Sequence, residues 1–243
     1  MISMISVCMA TYNGEKYIRE QIESILSQLG PYDELIISDD ASSDDTVNII
    51  TDIKDSRIIL LNYNRNKNNL LPINLVTTNF ENALKHAKGD YIYLSDQDDV
   101  WCENKVKIIQ AALEKYDYVV SDCYVTDSNL NIISDTRFDG SVTRNKYKAL
   151  ISPTPWQGSC AAFRRKVLEK ALPFPKGLQS HDRWLGYIGS FLFESCIVDI
   201  PLIYYRRHET NTSTATTKSK ASLAYKISTR LFYIANLIRR ALS

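Results

Sequence analysis

The fold of this chain is constrained most by a regular alternation of apolar runs and amphipathic stretches between residues 2 and 94. The apolar runs have the length of buried strands and occupy residues 2–9, 34–38, 57–62 and 90–94. Between them the apolar residues recur at helical spacing, as in residues 17–26 and 74–88. Such alternation implies parallel strands joined by right-handed crossovers. The sequence therefore predicts an α/β fold with a mostly parallel, Rossmann-like central sheet flanked by helices.

The second half of the chain has a less regular pattern. A helix is predicted from residue 105 to about 116, a strand at 118–122 and a polar hairpin at 127–131. We expect these elements to form a mixed extension of the sheet.

Polar turns follow three of the predicted strands, at residues 10–14, 39–46 and 95–99. In open parallel sheets, ligands bind beyond the carboxyl ends of the strands, because loops and helix amino termini converge there. The three turns are therefore predicted to form one site.

Length and composition exclude several classes of protein. The 243 residues suit one large domain, and 29 Lys and Arg against 28 Asp and Glu give no electrostatic reason to expect a nucleic-acid partner. The five cysteines are odd in number and form no CxxC pair, which disfavours a disulfide framework or a zinc site. Neither a secretory signal nor an apolar run long enough for a membrane span is present, so a cytoplasmic location is expected.

The acidic cluster Asp96-Gln97-Asp98-Asp99 follows an apolar strand directly. Its three carboxylates repel one another unless a positive charge lies among them. Mg²⁺ or Mn²⁺ takes one or two carboxylates and completes its shell with phosphate oxygens and water. The cluster thus predicts a site for a metal and a diphosphate; the alternative is a solvated acidic loop, which the position at a strand end disfavours.

A second carboxylate pair, Asp39-Asp40, follows the strand at 34–38. A carboxylate at this point could accept hydrogen bonds from a nucleobase or a ribose, and we assign donor binding to Asp40. The alternative role for acidic residues here is helix capping, which we assign to Asp44 and Asp45.

Three ordered segments resemble those of family 2 glycosyltransferases. They are Ala10-Thr11-Tyr12-Asn13-Gly14 after the first strand, Ser38-Asp39-Asp40-Ala41-Ser42-Ser43-Asp44-Asp45-Thr46, and Leu94-Ser95-Asp96-Gln97-Asp98-Asp99-Val100-Trp101. The resemblance covers roughly residues 3–210 and implies a GT-A nucleotide-diphospho-sugar transferase fold. It implies nucleotide-sugar contacts from Ala10, Thr11, Tyr12, Asn13, Glu15, Asp39, Asp40 and Asp96, with Asp98 on the metal and Asp99 as an alternative ligand.

Later segments extend the resemblance to the acceptor side. Ser180-His181-Asp182 matches the place where relatives carry a Glu-Asp pair, so Asp182 is the implied base. His181 stands where relatives have the glutamate, and it could be a neighbour of the base, a ligand or a substitute base. The alternative for Asp182 is a carboxylate that stabilises a helix amino terminus. Trp156, Gln157 and Gly158 resemble the acceptor-side segment, although the tryptophan could equally belong to the core.

The segment Tyr204-Tyr205-Arg206-Arg207-His208 resembles a late Tyr-Arg-x-His motif of the family. The resemblance makes His208 a metal ligand and Arg206 a phosphate contact. A lone histidine is otherwise more often a surface or packing residue.

The implied activity is inverting transfer of a hexose from a nucleotide-diphosphate sugar, UDP-Gal or UDP-Glc, to a glycan or lipid-linked acceptor of bacterial surface polysaccharides. A dTDP-rhamnose-dependent transferase is an alternative within the family. A nucleotidyltransferase is disfavoured because residues 10–14 lack a glycine-rich, basic phosphate loop. A noncatalytic sugar-nucleotide binder is disfavoured because the predicted metal carboxylates and base are all present.

The chain is predicted to divide into a GT-A domain at residues 1–210 and an appendage at 211–243. The appendage comprises a Ser/Thr-rich connection and a basic amphipathic helix at 221–242. This helix could lie on the inner surface of the cell membrane. The alternative is that it packs on the domain or on a second subunit.

Overall fold

The computed structural model describes residues 3–63, 72–138, 142–151, 154–208 and 222–243. Its first part alternates strands and helices as predicted, in the order β1 Ile5–Thr11, α1 Ile18–Leu26, β2 Glu34–Asp39, α2 Thr46–Asp52, β3 Ile58–Asn62, α3 Pro72–His86 and β4 Tyr91–Ser95. The first strand extends further than predicted, because Ala10 and Thr11 continue its pairing with β2.

The strands β3, β2, β1 and β4 lie side by side in that order, and all three pairs are parallel. Thr11 stands beside Asp39, and Met9 stands beside Ser95. The chain moves to one side of β1 to form β2 and later to the other side to form β4. In such sheets the crevice at this reversal is where ligands bind. All three predicted polar turns lie at this edge.

The second part of the chain extends the sheet as a mixed structure, which confirms the predicted extension. Its elements are β5 Val100–Trp101, α4 Lys105–Leu113, β6 Tyr118–Thr126, β7 Ile132–Ser134, β8 Ala161–Arg164, α5 Arg165–Ala171, α6 His181–Leu192 and β9 Ser195–Arg206. The order continues from β4 through β8, β6 and β9 to β5, with β7 paired to β6. Of these pairs, only β6 with β9 is parallel.

The core lies on both faces of the parallel strands. Val7, Cys8 and Met9 of β1 are fully buried, and α1 covers the sheet with Ile18 and Ile22, one helical turn apart. Burial of each large apolar side chain stabilises the fold by about 1.5–3 kcal/mol. Central strands buried on both faces explain why the apolar runs in the sequence are continuous.

The C-terminal helix α7, Leu223–Leu242, confirms the predicted helix. It begins at the cap residue Ser222, whose hydroxyl accepts a hydrogen bond from the backbone N–H of Tyr225. One face packs on the domain through the buried Tyr233 and Leu237. Among the described residues, no helix combines the length and apolar character that a membrane span needs. The predicted connection and boundary at residues 210–221 lie outside the described residues.

Candidate active site

Hydrogen bonds join the turn after β1 to the turn after β2. The buried Thr11 donates from its hydroxyl to Asp39 Oδ1 at 3.0 Å. Asn13 adopts a left-handed backbone with φ 49°, donates from its N–H to Ser42 Oγ at 2.9 Å, and accepts from Ser43 N at 2.9 Å. Asparagine tolerates this conformation better than most residues. The two turns therefore form one rigid wall of the site.

The carboxylate of Asp39 organises this wall. Its Oδ2 accepts from the backbone N–H of Ser42 at 2.9 Å, and its Oδ1 also accepts from the Ser42 hydroxyl. Asp40 is buried beside it, its backbone N–H bonded to Thr11 O at 2.9 Å, and the next residue, Ala41, has a φ of 57°. Strained backbone of this kind clusters at functional sites. The donor contacts assigned to Asp39 and Asp40 stay predictions.

The helix cap predicted at α2 is confirmed for one of its two residues. Asp44 Oδ1 accepts from the N–H of Thr46 at 3.1 Å. The side chain of Asp45 makes no capping hydrogen bond. The backbone N–H of Asp45 instead donates to Oε2 of Glu15, in the loop after β1, at 2.9 Å. The assignment of Asp45 as a capping side chain is therefore wrong. The placement of Glu15 near the nucleotide stays a prediction.

Gln97 connects the acidic loop to the first turn. Its side-chain amide pairs with the backbone of Tyr12 in both directions, accepting from the N–H at 2.9 Å and donating to the carbonyl at 3.1 Å. A Cβ on Gly14 would lie 2.6 Å from Gln97 Oε1, so any larger residue would displace this amide. No spacing in the sequence marks Gln97, because its partner is 85 residues away.

Two of the predicted metal ligands meet at the end of the acidic loop. His208 Nε2 lies 2.9 Å from Asp98 Oδ2, and the ring centroids of Tyr17 and His208 are 4.9 Å apart. Asp99 is fully buried, and its Oδ1 accepts from the backbone N–H of Arg206 at 3.1 Å; its role as an alternative metal ligand stays a prediction. This bond ties the acidic loop to the end of β9.

The Asp98–His208 pair fits a divalent cation that takes most of its ligands from a substrate. Across the described part of the chain, no group of three or more His, Cys, Asp or Glu side chains is arranged to hold a metal. Mg²⁺ and similar ions are nevertheless commonly held by one or two carboxylates plus phosphate oxygens and water. Asp98 and His208 could supply such a partial shell. Both side chains keep some exposure, 15% and 11%, so a ligand can reach them.

Arg206, the predicted phosphate contact, is bonded within the protein. Its guanidinium forms an ion pair with Glu20 at 2.6 Å and donates to the carbonyls of Asp98 and Ser128 at 2.9 and 2.8 Å. It also lies 4.4 Å from the ring centroid of Tyr17. Arg206 thus holds the acidic loop in place, and a phosphate contact stays a prediction. Glu20 and Tyr17 contribute here without any signal in the sequence.

Asp182 lies in the first turn of α6, against the acceptor-side segment. His181 Nε2 is 2.6 Å from Asp182 Oδ1, and the imidazole stacks on Phe80 with centroids 4.0 Å apart. A Cβ on Gly158 would lie 2.6 Å from Asp182 Oδ1, so glycine allows this close approach. The first turn of a helix also favours a carboxylate electrostatically, so the capping alternative and the base assignment are compatible.

Trp156 and Gln157 are buried beside Gly158. The indole of Trp156 packs so closely on Gly186 that a Cβ there would lie 2.2 Å from its Cδ2. It also lines a cavity of about 300 Å³ with Tyr118. The core alternative for Trp156 therefore describes its packing, and an acceptor contact from these residues stays a prediction.

Electrostatic effects show that the acidic side chains converge. Burial raises the pKa of Asp96 well above its ordinary value, and the charges of Asp99, Asp98 and Asp182 raise it further. Burial also acts to raise the pKa of Asp182, but the neighbouring His181 and the Gly158 N–H lower it more, so its net shift is downward. The raised pKa of Asp96 and the lowered pKa of Asp182 favour different protonation states for the two carboxyls, a difference typical of acid–base sites.

Lys105 is a buried cation under the acidic loop. Its ammonium donates to the carbonyl of Ser159 at 2.8 Å and lies 4.6 Å from the ring centroid of Trp101. Burial lowers the pKa of Lys105 to about 8, against the opposing effect of nearby Cys160 and Asp99. The lysine links the metal-side loop to the acceptor-side segment, a role that no motif in the sequence indicates.

The fold and this edge of the sheet define a class of protein. The chain superposes on Staphylococcus aureus TarS in complex with UDP-GlcNAc with a TM-score of 0.71 and 17% identity, covering 99% of this chain and 70% of that one. It also superposes on the mannosyltransferase PcManGT of Pyrobaculum calidifontis, solved with GDP-Man and Mn²⁺, with a TM-score of 0.58 and 18% identity over 98% of this chain and 65% of that one. The fold is the GT-A fold of glycosyltransferases, as predicted.

The sequence assigns the family. Residues 6–172 match the model of glycosyl transferase family 2, and the chain belongs to this family. It is 40% identical to the Escherichia coli UDP-Glc:alpha-D-GlcNAc-diphosphoundecaprenol beta-1,3-glucosyltransferase WfaP, over 51% of this chain and 47% of that protein. It is 38% identical to the Shigella flexneri dTDP-rhamnosyl transferase RfbG, over 41% of this chain and 34% of that protein. The matched regions thus span about half of the first relative and a third of the second.

Proposed function

We propose that this chain is an inverting glycosyltransferase that moves a hexose from a nucleotide-diphosphate sugar to a saccharide acceptor, with Mn²⁺ or Mg²⁺ as cofactor. The observation that carries the proposal is the convergence at one sheet edge of the Asp98–His208 pair and of Asp182, whose charge reaches Asp96. Family membership supports the reaction class. The Mn²⁺ in the structure of PcManGT supports the choice of cofactor.

The protein's own residues would divide the reaction between two sides of the sugar. On the donor side, Asp98 and His208 would hold the cation, and the wall that includes Asp40 would hold the nucleoside. A bound divalent cation would neutralise the negative charge that develops on the departing diphosphate.

On the acceptor side, Asp182 would take the proton of the attacking hydroxyl. The acceptor oxygen bonds to the anomeric carbon as the bond from that carbon to the diphosphate oxygen breaks on the opposite face. The displacement inverts the anomeric configuration and requires no covalent enzyme intermediate. The lowered pKa of Asp182 keeps it ionised and ready to accept a proton at neutral pH.

The relatives support a donor class and a setting. WfaP carries UDP-Glc in its name and RfbG carries dTDP-rhamnose, so we propose UDP-Glc or UDP-Gal as donor and dTDP-rhamnose as the second candidate. The acceptor would be a glycan or a lipid-linked saccharide in bacterial surface polysaccharide synthesis. The reaction would take place at the cytoplasmic side of the membrane, where nucleotide sugars are made.

A panel of nucleotide sugars tests this proposal. With Mn²⁺ present, the correct donor at about 100 times its dissociation constant should stabilise the fold by about 2.7 kcal/mol, which raises the melting temperature by roughly 5–10 °C. EDTA should abolish most of this shift, and a mismatched nucleotide such as GDP-mannose serves as control. If UDP-Glc, UDP-Gal and dTDP-rhamnose all leave the melting temperature unchanged with either metal, the proposed function is wrong.

The free face of α7 supports a peripheral contact of residues 221–243 with the membrane. Ile227, Leu231, Ile238 and Leu242 form an exposed apolar stripe at helical spacing. Residues 222–243 contain Lys226, Arg230, Arg239 and Arg240 and no acidic residue. Arg230 and Arg240 donate to the carbonyls of Ile151 and Pro173 in the domain, so the exposed Arg239 is the charge best placed to add attraction to an anionic surface, about 1 kcal/mol. We propose that this stripe rests on anionic lipid while the opposite face packs on the domain.

Vesicle flotation tests the membrane contact. Leu231→Glu should reduce the fraction bound to phosphatidylglycerol vesicles severalfold, because it places a negative charge in the apolar stripe. Ile133→Glu is the matched control, since Ile133 is 65% exposed and Leu231 is 61% exposed. Equal flotation of the two variants would remove the membrane contact from the proposal.

A further inference from the structure

A side chain of the C-terminal helix reaches the segment that begins α6. The hydroxyl of Tyr233 accepts a hydrogen bond from the backbone N–H of Ser180 at 3.0 Å and lies 3.3 Å from the carbonyl oxygen of the same residue, to which it donates. One hydroxyl therefore satisfies both backbone groups of Ser180. Tyr233 is only 1% exposed, so water does not compete for these bonds.

Packing fixes the phenol ring in this position. The ring centroid of Tyr233 is 5.4 Å from that of Tyr187, and the guanidinium of Arg183 lies 5.7 Å from the Tyr233 centroid. Leu237, one turn further along α7, is also buried. Both Arg183 and Tyr187 belong to α6, so Tyr233 packs α7 against the first half of α6.

Ser180 is the residue on which the orientation of Asp182 depends. It is the cap of α6: its hydroxyl accepts from the N–H of Arg183 at 3.2 Å, and its backbone is extended, with φ −140° and ψ 115°. Asp182 is two residues further on. Without the Tyr233 hydroxyl the N–H of Ser180 would lose its partner, while the carbonyl would keep the bond from the N–H of Trp184 at 3.2 Å. An unpaired N–H is unfavourable, so the backbone at Ser180 would shift to find another partner for it. Such a shift would move the Asp182 carboxylate away from Gly158.

We propose that α7 is part of the acceptor side of the active site and that Tyr233 is a positioning residue for Asp182. The inference rests on the proposed function, because it takes Asp182 as the base. It extends the working site to a helix that lies beyond the family match, which ends at residue 172. The Tyr233 hydroxyl makes its two hydrogen bonds with Ser180, on the side of Asp182.

Tyr233→Phe in the full-length protein tests this inference, since it removes the hydroxyl and keeps the ring. We expect kcat for sugar transfer to fall by roughly 10- to 100-fold, because a small misplacement of a reacting group causes losses of this size. The donor KM and the stabilisation by UDP with Mn²⁺ should stay within about twofold of wild type, because binding at the donor side does not use Tyr233. Tyr225→Phe on the same helix, where the tyrosine is 47% exposed, should leave all of these values unchanged.

Leu237→Ala gives a second test that leaves the hydroxyl in place, and it decides the matter if Tyr233→Phe does not fold. It loosens the packing of α7 on the domain, and it should lower kcat with the donor KM unchanged. The inference is wrong if a folded Tyr233→Phe, or failing that a folded Leu237→Ala, transfers sugar at the wild-type rate, or if kcat falls only in step with donor binding. If wild type itself transfers no sugar from any donor, the proposed function fails instead.

Discussion

Replacing Asp98 by alanine is expected to reduce sugar transfer by about 10²- to 10⁴-fold, the range typical of a lost electrostatic or metal-binding group. Asp98 contacts His208 at 2.9 Å, and its carboxylate is the charged member of the pair that could hold a cation. The backbone of the loop should stay in place, because Arg206 binds the carbonyl of Asp98 and not its side chain. The loss should therefore appear in turnover and in metal-dependent donor binding more than in stability.

Three measurements separate this result from a general loss of structure. The melting temperature of Asp98→Ala without ligand should stay close to that of wild type, while the extra stabilisation by UDP with Mn²⁺ should disappear. His208→Ala should show the same pattern with a smaller loss, since Asp98 would still supply a carboxylate to the cation. Asp52→Ala serves as control, because Asp52 is an exposed residue at the far end of α2. Near-normal turnover in Asp98→Ala at saturating Mn²⁺ would contradict the site.

Asp182→Asn should lower kcat by about 10²- to 10⁴-fold, because an amide cannot take the proton of the acceptor hydroxyl. The change keeps the size of the side chain, so the close fit against Gly158 is retained. Donor binding, measured as stabilisation by the nucleotide sugar with metal, should survive. Asp52→Asn is the matched control. A variant that transfers sugar at the wild-type rate would show that another group is the base.

The pH dependence of transfer offers an independent check on Asp182. His181 and the Gly158 N–H hold the pKa of this carboxyl below its ordinary value, so the base stays ionised as the pH falls through the normal range of an aspartate. The acid limb of kcat should therefore lie below about pH 4 if protonation of Asp182 is what causes it. Removing the imidazole in His181→Gln should move that limb upward, because its favourable electrostatic effect on the Asp182 carboxylate is lost.

The sequence allowed the parallel half of the fold to be predicted in detail. The strands β1, β2 and β4 are continuous apolar runs because both of their faces are buried, and α1 shows its buried face through Ile18, Ile22 and Ile25. Local periodicity of this kind is visible within a few residues. The acidic loop and the Asp44 cap were also predictable, since a strand end and a helix start each favour particular neighbouring residues.

The parts of the site that sequence reasoning missed are contacts between distant loops. Gln97 pairs with Tyr12 across 85 residues, Arg206 with Glu20 across 186, and Tyr233 with Ser180 across 53. In two of these pairs a side chain binds backbone groups, which every residue carries, so the partner's identity leaves no mark in the sequence. Asp45 and Glu15 show the same effect: a carboxylate from another turn accepts from the backbone N–H of Asp45.

The sequence by itself determined which chemical groups are available and that they lie at strand ends, because burial of the strands dictates the apolar runs between them. Only the tertiary structure decided which carboxylates bond to neighbouring segments and which lie beside a histidine. Asp39 and Asp99 accept bonds from neighbouring segments, whereas Asp98 and Asp182 each face a histidine at a partly exposed surface. The partners of these four carboxylates depend on how the sheet brings its loops together. Aspartate is the residue type in all four cases, so the hydrogen-bonding geometry decides which partner each carboxylate has.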